Sequence, residues 1–368
     1  MSAGLRIAVF GSSLVSSYWN GASTYYRGII RALHARGHRV SFYEPDALER
    51  QAHRDIDDPP WARVVVYEPT AEAAAQAVAS ARDADVVIKA SGVGVCDHEL
   101  LRALLDLPGE SLRVWWDVDA PATLAALESD ADPELRLAVG LFDLVLTYGG
   151  GARVISRYEL LGARRCVPVY NGLDPETHHP AAPVPDLRCD LSFMGNRLPD
   201  REARVHEFLL GCAGRLPERQ FILAGSGWQA ESLPPNVRLL GHLPTAQHNA
   251  LNSSSLAVLN ISRESMAQTG HSPATRVFEA AGAAACLITD AWDGIAQFFE
   301  PEAELLVARD GAEVAARLEA LDPQRAASIG AAARTRALAQ HTYAQRAAVL
   351  EAALLEARAR RVALGGSR

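Results

Sequence analysis

Strand-sized apolar runs alternate with helix-sized stretches along almost the whole chain, and this alternation constrains the fold more than any other feature. In the first half the runs fall at Arg6–Phe10, Val40–Tyr43, Arg63–Tyr67, Asp85–Lys89, Arg113–Trp116, Leu144–Thr147 and Cys166–Tyr170. Helix-like stretches such as Tyr25–Arg36, Ala71–Arg82 and Ala152–Leu161 separate most of them. Such a succession predicts parallel βαβ units in a doubly wound sheet. Around Asn171–Asp186 the pattern breaks, with Pro175, Pro180, Pro183 and Pro185 among polar residues. That composition reads as a linker. Alternation then restarts, with strands expected at Cys189–Met194, Gln220–Ala224, Val237–Leu240, Ala257–Ile261, Cys286–Thr289 and Glu304–Val307. Helices are expected near Arg201–Ala213, Thr245–Leu251 and Pro273–Ala284. Successive helices follow Gly311, the last near Tyr343–Ala363, where Leu350 and Leu354 make an apolar stripe at i, i+4.

Two doubly wound domains joined by a linker, each turning its strand ends to a central cleft, make the GT-B layout. Ligands of such sheets bind beyond the carboxyl ends of the strands. A chain of 368 residues suits two domains of ordinary size. Its net charge of −8 leaves no basic field for broad binding of nucleic acid or anionic membrane. The five cysteines are scattered and never spaced C-x-x-C, as expected of reduced thiols rather than disulfides or a zinc site. Leu5–Phe10 is too short for a secretory leader, and no run of 18 apolar residues could span a membrane. A cytoplasmic protein is the expectation.

The stretch from Ser272 to Ala281 carries the most chemistry. Ser272 suits a helix cap and Pro273 a first turn. Arg276 and Glu279 then share one helix face, opposite Val277, Ala280 and Ala281. A helix start attracts a diphosphate, and a carboxylate further in can accept from sugar hydroxyls. The plainer alternative is a solvated Glu279 paired with Arg276 at i, i+3. Arg263 follows a strand and could fork two hydrogen bonds onto a diphosphate, or simply pair with Glu264. Gly195 and Asn196 follow the first strand after the linker, with Arg201 near the next helix start; backbone N–H groups there could meet a phosphate, or form a tight turn only. Gly225 and Gly227 could admit a nucleobase and Trp228 stack on it, or they make a plain turn with a packing Trp.

In the first half, Gly11, Ser12, Trp19 and Asn20 line a loop after the first strand, where aromatic rings could meet a sugar acceptor. Lys89 ends another strand and could meet an anionic group. Asp117 and Asp119 form a D-x-D that, in this layout, reads as a general base rather than a metal site, because paired carboxylates push up one another's pKa. Helix capping before Pro121 is the alternative. His271 is a second base or sugar-contact candidate, and His178 and His179 read as plain linker residues.

Several of these segments resemble known families. Arg31–Val40 looks like the first helix and second strand of GT-B glycosyltransferases. Val169–Asp174, followed by Pro180, resembles the Asn-Gly-Val-Asp linker of glycosyltransferase family 4. The chain as a whole resembles the CgeB-like (spore-maturation-protein) glycosyltransferases of bacteria. That likeness runs through Phe193–Asn196, Leu259–Arg263, Ser272–Glu279, Ile288–Asp290 and His341–Tyr343, and it is looser in the first domain. It implies an acceptor-side Rossmann-like domain over 1–172, a linker over 173–187, a nucleotide-sugar-binding domain over 188–342, and a C-terminal helix over 343–368 free to pack back on the first domain. It implies ribose binding by Glu279. Family 4 enzymes carry a second Glu eight positions earlier, where this chain has His271, so the sugar-facing role does not carry over. The expected activity is metal-independent hexosyl transfer, without cofactor, from a nucleoside-diphosphate sugar to an unidentified glycan, protein or small molecule. The alternatives are a GT-B nucleotide-sugar epimerase and a non-catalytic nucleotide- or glycan-binding module.

Overall fold

The computed structural model describes residues 4–18, 20–230 and 233–365. Two compact units result: the chain up to Tyr170 together with the residues from Tyr343 onward, and Asn171–Thr342. The first holds seven parallel strands, β1 (Arg6–Phe10), β2 (Arg39–Pro45), β3 (Arg63–Tyr67), β4 (Val86–Ala90), β5 (Leu112–Asp117), β6 (Leu144–Thr147) and β7 (Cys166–Pro168), in the order β3-β2-β1-β4-β5-β6-β7. The second holds six, β8 (Cys189–Met194), β9 (Phe221–Ala224), β10 (Val237–Gly241), β11 (Ser255–Asn260), β12 (Leu287–Asp290) and β13 (Leu306–Ala308), in the order β10-β9-β8-β11-β12-β13. Both sheets reverse their winding beside their first strand, between β1 and β4 and between β8 and β11. These switch points are where such sheets open a ligand crevice.

Every strand falls on a run expected from the sequence, with ends displaced by at most two residues. In the central strands the cause is burial on both faces, which makes parallel strands near-continuously apolar; the edge strands β3 and β10 are only partly covered. Ile7 and Val9 join one core cluster and Ala8 and Phe10 the other, since successive side chains point to opposite faces. The helix Tyr343–Gly365 belongs to the first unit, where Tyr343, Ala347, Leu350 and Leu354 share a core cluster with Tyr25, Ile29 and Leu33 of the helix Ser23–Ala35. Among the described residues no helix is long and apolar enough to cross a membrane.

Three expectations need correction. The helix expected over 201–213 is interrupted: Pro199–Val205 passes into a π turn at His206–Leu210 before Gly211–Arg215. The helix expected from Pro273 starts at Thr275. The segment expected as a linker is folded onto the second unit. Leu173 pairs with Thr342, Asn249 accepts from His179 N–H (3.2 Å) and donates to Thr177 O (2.9 Å), and Ser254 accepts from Val184 N–H (2.8 Å). Its prolines stiffen an ordered path rather than a loose one.

Candidate functional site

The strand ends at the second switch point place Gly195–Arg197 after β8 and Ser262–Arg263 after β11. The loop after β8 is zipped to the loop after β9. Gly195 N–H donates to Ala224 O (2.8 Å), Arg197 N–H to Ser226 O (2.9 Å), and Ser226 N–H to Asn196 Oδ1 (3.0 Å). Gly225 (φ +134) is required here, because a Cβ on it would lie 2.1 Å from Gly195 O. The Trp228 indole N–H also donates to Gly195 O (2.8 Å), and its ring lies on the core. Gly225 and the bound indole edge fit the alternative of a turn with a packing Trp, in which Trp228 is half-buried and Gly227 exposed. The room that Gly225 leaves holds protein backbone, and the indole edge is bound to it.

The guanidinium groups of Arg201, Arg263 and Arg276 lie near one another at this end of the sheet. Arg201 donates to Asn196 O (2.5 Å) and lies 5.6 Å from the Phe193 ring centre. Burial pulls its pKa down to about 10; Asp200 opposes this, and neighbouring Arg276 and Arg263 add to it. Arg263 pairs with Asp200 (2.6 Å), not with Glu264, which pairs with Arg204 (2.8 Å). Arg204 also reaches the buried Asp290 (2.6 Å), whose carboxylate takes the N–H and hydroxyl of Ser262 and so fixes the end of β11.

Glu279 lies in the helix Thr275–Gly282 and is 6% exposed, so the solvated alternative is excluded. Its Oε2 is 2.8 Å from Arg276 Nη1, an ion pair without hydrogen-bond alignment. Among the described residues Glu279 Oε2 and Arg276 Nε and Nη1 therefore lack hydrogen-bond partners. Burial alone would raise the Glu279 carboxyl; Arg276, helped by His178 and His248, outweighs it and holds the pKa at about 2. The residue is an anion with an unused acceptor. No side chain caps this helix. Ser272, expected as the cap, donates instead to Gly270 O (3.0 Å), and Pro273 O accepts from Asn171 (2.9 Å), because the chain turns through Gly270 (φ +70) and His271 (φ +47) before the helix begins. His271 Nδ1 lies 3.1 Å from Gln297 Oε1.

Two histidines join this carboxylate that sequence spacing does not connect to it. His178, read as a linker residue, is buried, with Nε2 3.8 Å from Glu279 Oε1. His248, on the helix Thr245–Ser254, has its ring centre 5.9 Å from that of His178. Burial, then Arg276, pushes the His248 pKa down to about 4; burial also lowers that of His178, against the pull of Glu279. Gly282 makes this gathering feasible: a Cβ there would lie 2.4 Å from Leu173 Cδ1 and 2.7 Å from His178 O.

In the first unit the structure corrects most of the acceptor-side expectations. Lys89 is 1% exposed and its ammonium pairs with Asp97 (2.6 Å), so it is not offered to an acceptor. Ser12 donates to Asn20 Oδ1 (3.0 Å) and Asn20 donates to Ser13 O (2.9 Å), closing the loop after Gly11 on itself. Trp19 lies outside the described residues. Asp117 is fully buried and accepts from Ser91, Thr123, Asp119 N–H and the Tyr158 hydroxyl. It is a structural acceptor, not a base, and burial rather than a paired carboxylate raises its pKa. Asp119 is half-buried and precedes the helix Ala120–Glu128 without capping it through its side chain.

Comparison with known proteins bears on the fold. Residues 201–352 match the family model described as glycosyl transferase-like. The chain is similar in structure to Alr3699/HepE of Anabaena in complex with UDP and glucose (TM-score 0.67, 15% identity, covering 95% of this chain and 99% of that one). It is similar to sucrose-phosphate synthase of Thermosynechococcus elongatus (TM-score 0.67, 14% identity, 99% and 100%). It is also similar to AviGT4, a glycosyltransferase involved in avilamycin A biosynthesis (TM-score 0.64, 18% identity, 96% and 98%). No curated protein matches the sequence. The fold is therefore GT-B, two parallel-sheet Rossmann-like domains, and the family-model match spans most of the second and the start of the helix Tyr343–Gly365.

Proposed function

We propose that the protein transfers a sugar from a nucleoside-diphosphate sugar, which binds to the Asn171–Thr342 unit. The observation that carries this reading is Glu279: a buried, ionised carboxylate with an unused acceptor, beside Arg276 N–H groups without partners. Ribose hydroxyls satisfy such an acceptor. Arg276, Arg263 and Arg201 take the diphosphate, and their charge stabilises it as it leaves with negative charge developing. UDP is the nucleotide this reading favours, because two similar structures hold UDP or UDP with glucose. Asp119 remains the base if the reaction inverts. A CgeB-like character, a hexose as the moved group and a cytoplasmic, bacterial setting belong to the same proposal. So do an acceptor other than nucleic acid and transfer without a metal.

Calorimetry of UDP binding in the presence of a chelator tests it. Glu279→Ala should weaken binding by about 1.5–3 kcal/mol, roughly ten- to 150-fold, the worth of hydrogen bonds to a charged group. Unchanged affinity would sink the assignment. Transfer should persist in EDTA. UDP-sugar binding with neither transfer nor hydrolysis would leave a binding module instead.

A further inference from the structure

His178, His248 and Glu279 offer three ligand atoms that all lie within 4.8 Å of one another. His178 Nε2 and His248 Nδ1 are buried and have no hydrogen-bond partner among the described residues. His248 Nε2 lies 3.2 Å from Leu243 O. A carbonyl only accepts, so Nε2 carries the proton and Nδ1 turns its lone pair inward. An imidazole braced by a carbonyl behind and bare in front is how metal-binding histidines are held. Glu279 Oε2 lies 2.8 Å from Arg276 Nη1, while Oε1 is the oxygen that faces His178 at 3.8 Å. The three side chains are set on braced backbone. Asn249, next to His248, holds Thr177 and His179 on either side of His178, and Gly282 lets that segment lie one helical turn from Glu279.

We propose that His178, His248 and Glu279 form a site for a divalent first-row transition ion such as Zn²⁺. Two imidazoles and one carboxylate, with a further position open, suit zinc and its neighbours rather than magnesium or calcium. Ligand atoms about 2.0–2.1 Å from a tetrahedral ion lie roughly 3.4 Å apart, so the trio must close by at most about 1.5 Å. The site does not rest on the proposed transferase reading. Where both hold, Glu279 cannot serve ribose and ion together, and the ion excludes the donor.

The test is a Co²⁺ titration of the metal-free, full-length protein in nucleotide-free buffer, followed by visible absorption and calorimetry. One ion per chain should bind with the bands of a four-coordinate site. His178→Ala and His248→Ala should each weaken binding more than about tenfold, and His179→Ala, at an exposed neighbour, should not. Arg276→Gln should tighten binding, because it removes a cation beside the ion. If either alanine variant melts early, His178→Gln and His248→Gln replace it. No Co²⁺ binding, or equal affinity in wild type and the double histidine variant, overturns the proposal. UDP binding measured separately in EDTA judges the donor reading alone.

Discussion

Asp117 and Asp119 stand two residues apart and face different demands. Asp117 holds four donors in a dry site, and removing its charge leaves them poorly matched. Asp117→Ala should cost about 3 kcal/mol or more, read as a fall in urea midpoint. Asp119→Asn should leave the midpoint within about 0.5 kcal/mol and lower the turnover of an inverting enzyme at least about a hundredfold, in a single-turnover assay. Asp55 supplies a pH test. Burial would raise its carboxyl, but Arg27, paired at 2.7 Å, and both donors of Ser17 outweigh burial and lower it. A depressed carboxyl stabilises above its unfolded pKa of about 3.9, and that stability is lost as pH falls through the folded value. The midpoint gap between wild type and Asp55→Asn should be open at about pH 6 and shrink toward pH 3.

At the scale of elements, the helix Thr275–Gly282 does more than its charge pattern announces. Arg276 and Glu279 at i, i+3 are visible in the sequence; their burial is not, because it depends on what packs over them. That cover is the segment after Leu173, admitted by Gly282. Gly282→Ala should cost about 1–3 kcal/mol through overpacking and weaken UDP binding as well, checked by thermal melts and calorimetry on the same preparation. Ser272 and Pro273 have the right chemistry for a cap, so the sequence alone sets the start of this helix two residues early. The turn at Gly270 and His271 settles where the helix begins, and that turn depends on contacts with Asp293 and Gln297.

At the scale of the whole molecule, the helix Tyr343–Gly365 returns to complete the first unit's core. Leu354→Ala there should cost about 2–5 kcal/mol and lower the first thermal transition, while UDP binding by the second unit persists. Both sheets were legible in the sequence, strand by strand, since a strand covered on both faces must be apolar along its length, and that is a local property. Arg263 and Arg201 were legible as neighbours at one end of the second sheet for a related reason: in a doubly wound fold, position after a strand foretells position at the strand ends. Proximity across many residues was not. Nothing within a window of the chain links His178 to His248, or separates a buried Lys89 from a cleft-lining one. Chain order and periodicity determined the fold and which residues stand at the strand ends of the second sheet. Only the packed structure decided which charges are neutralised, which acceptors stay unused and which histidines meet, because burial and distance belong to the folded chain.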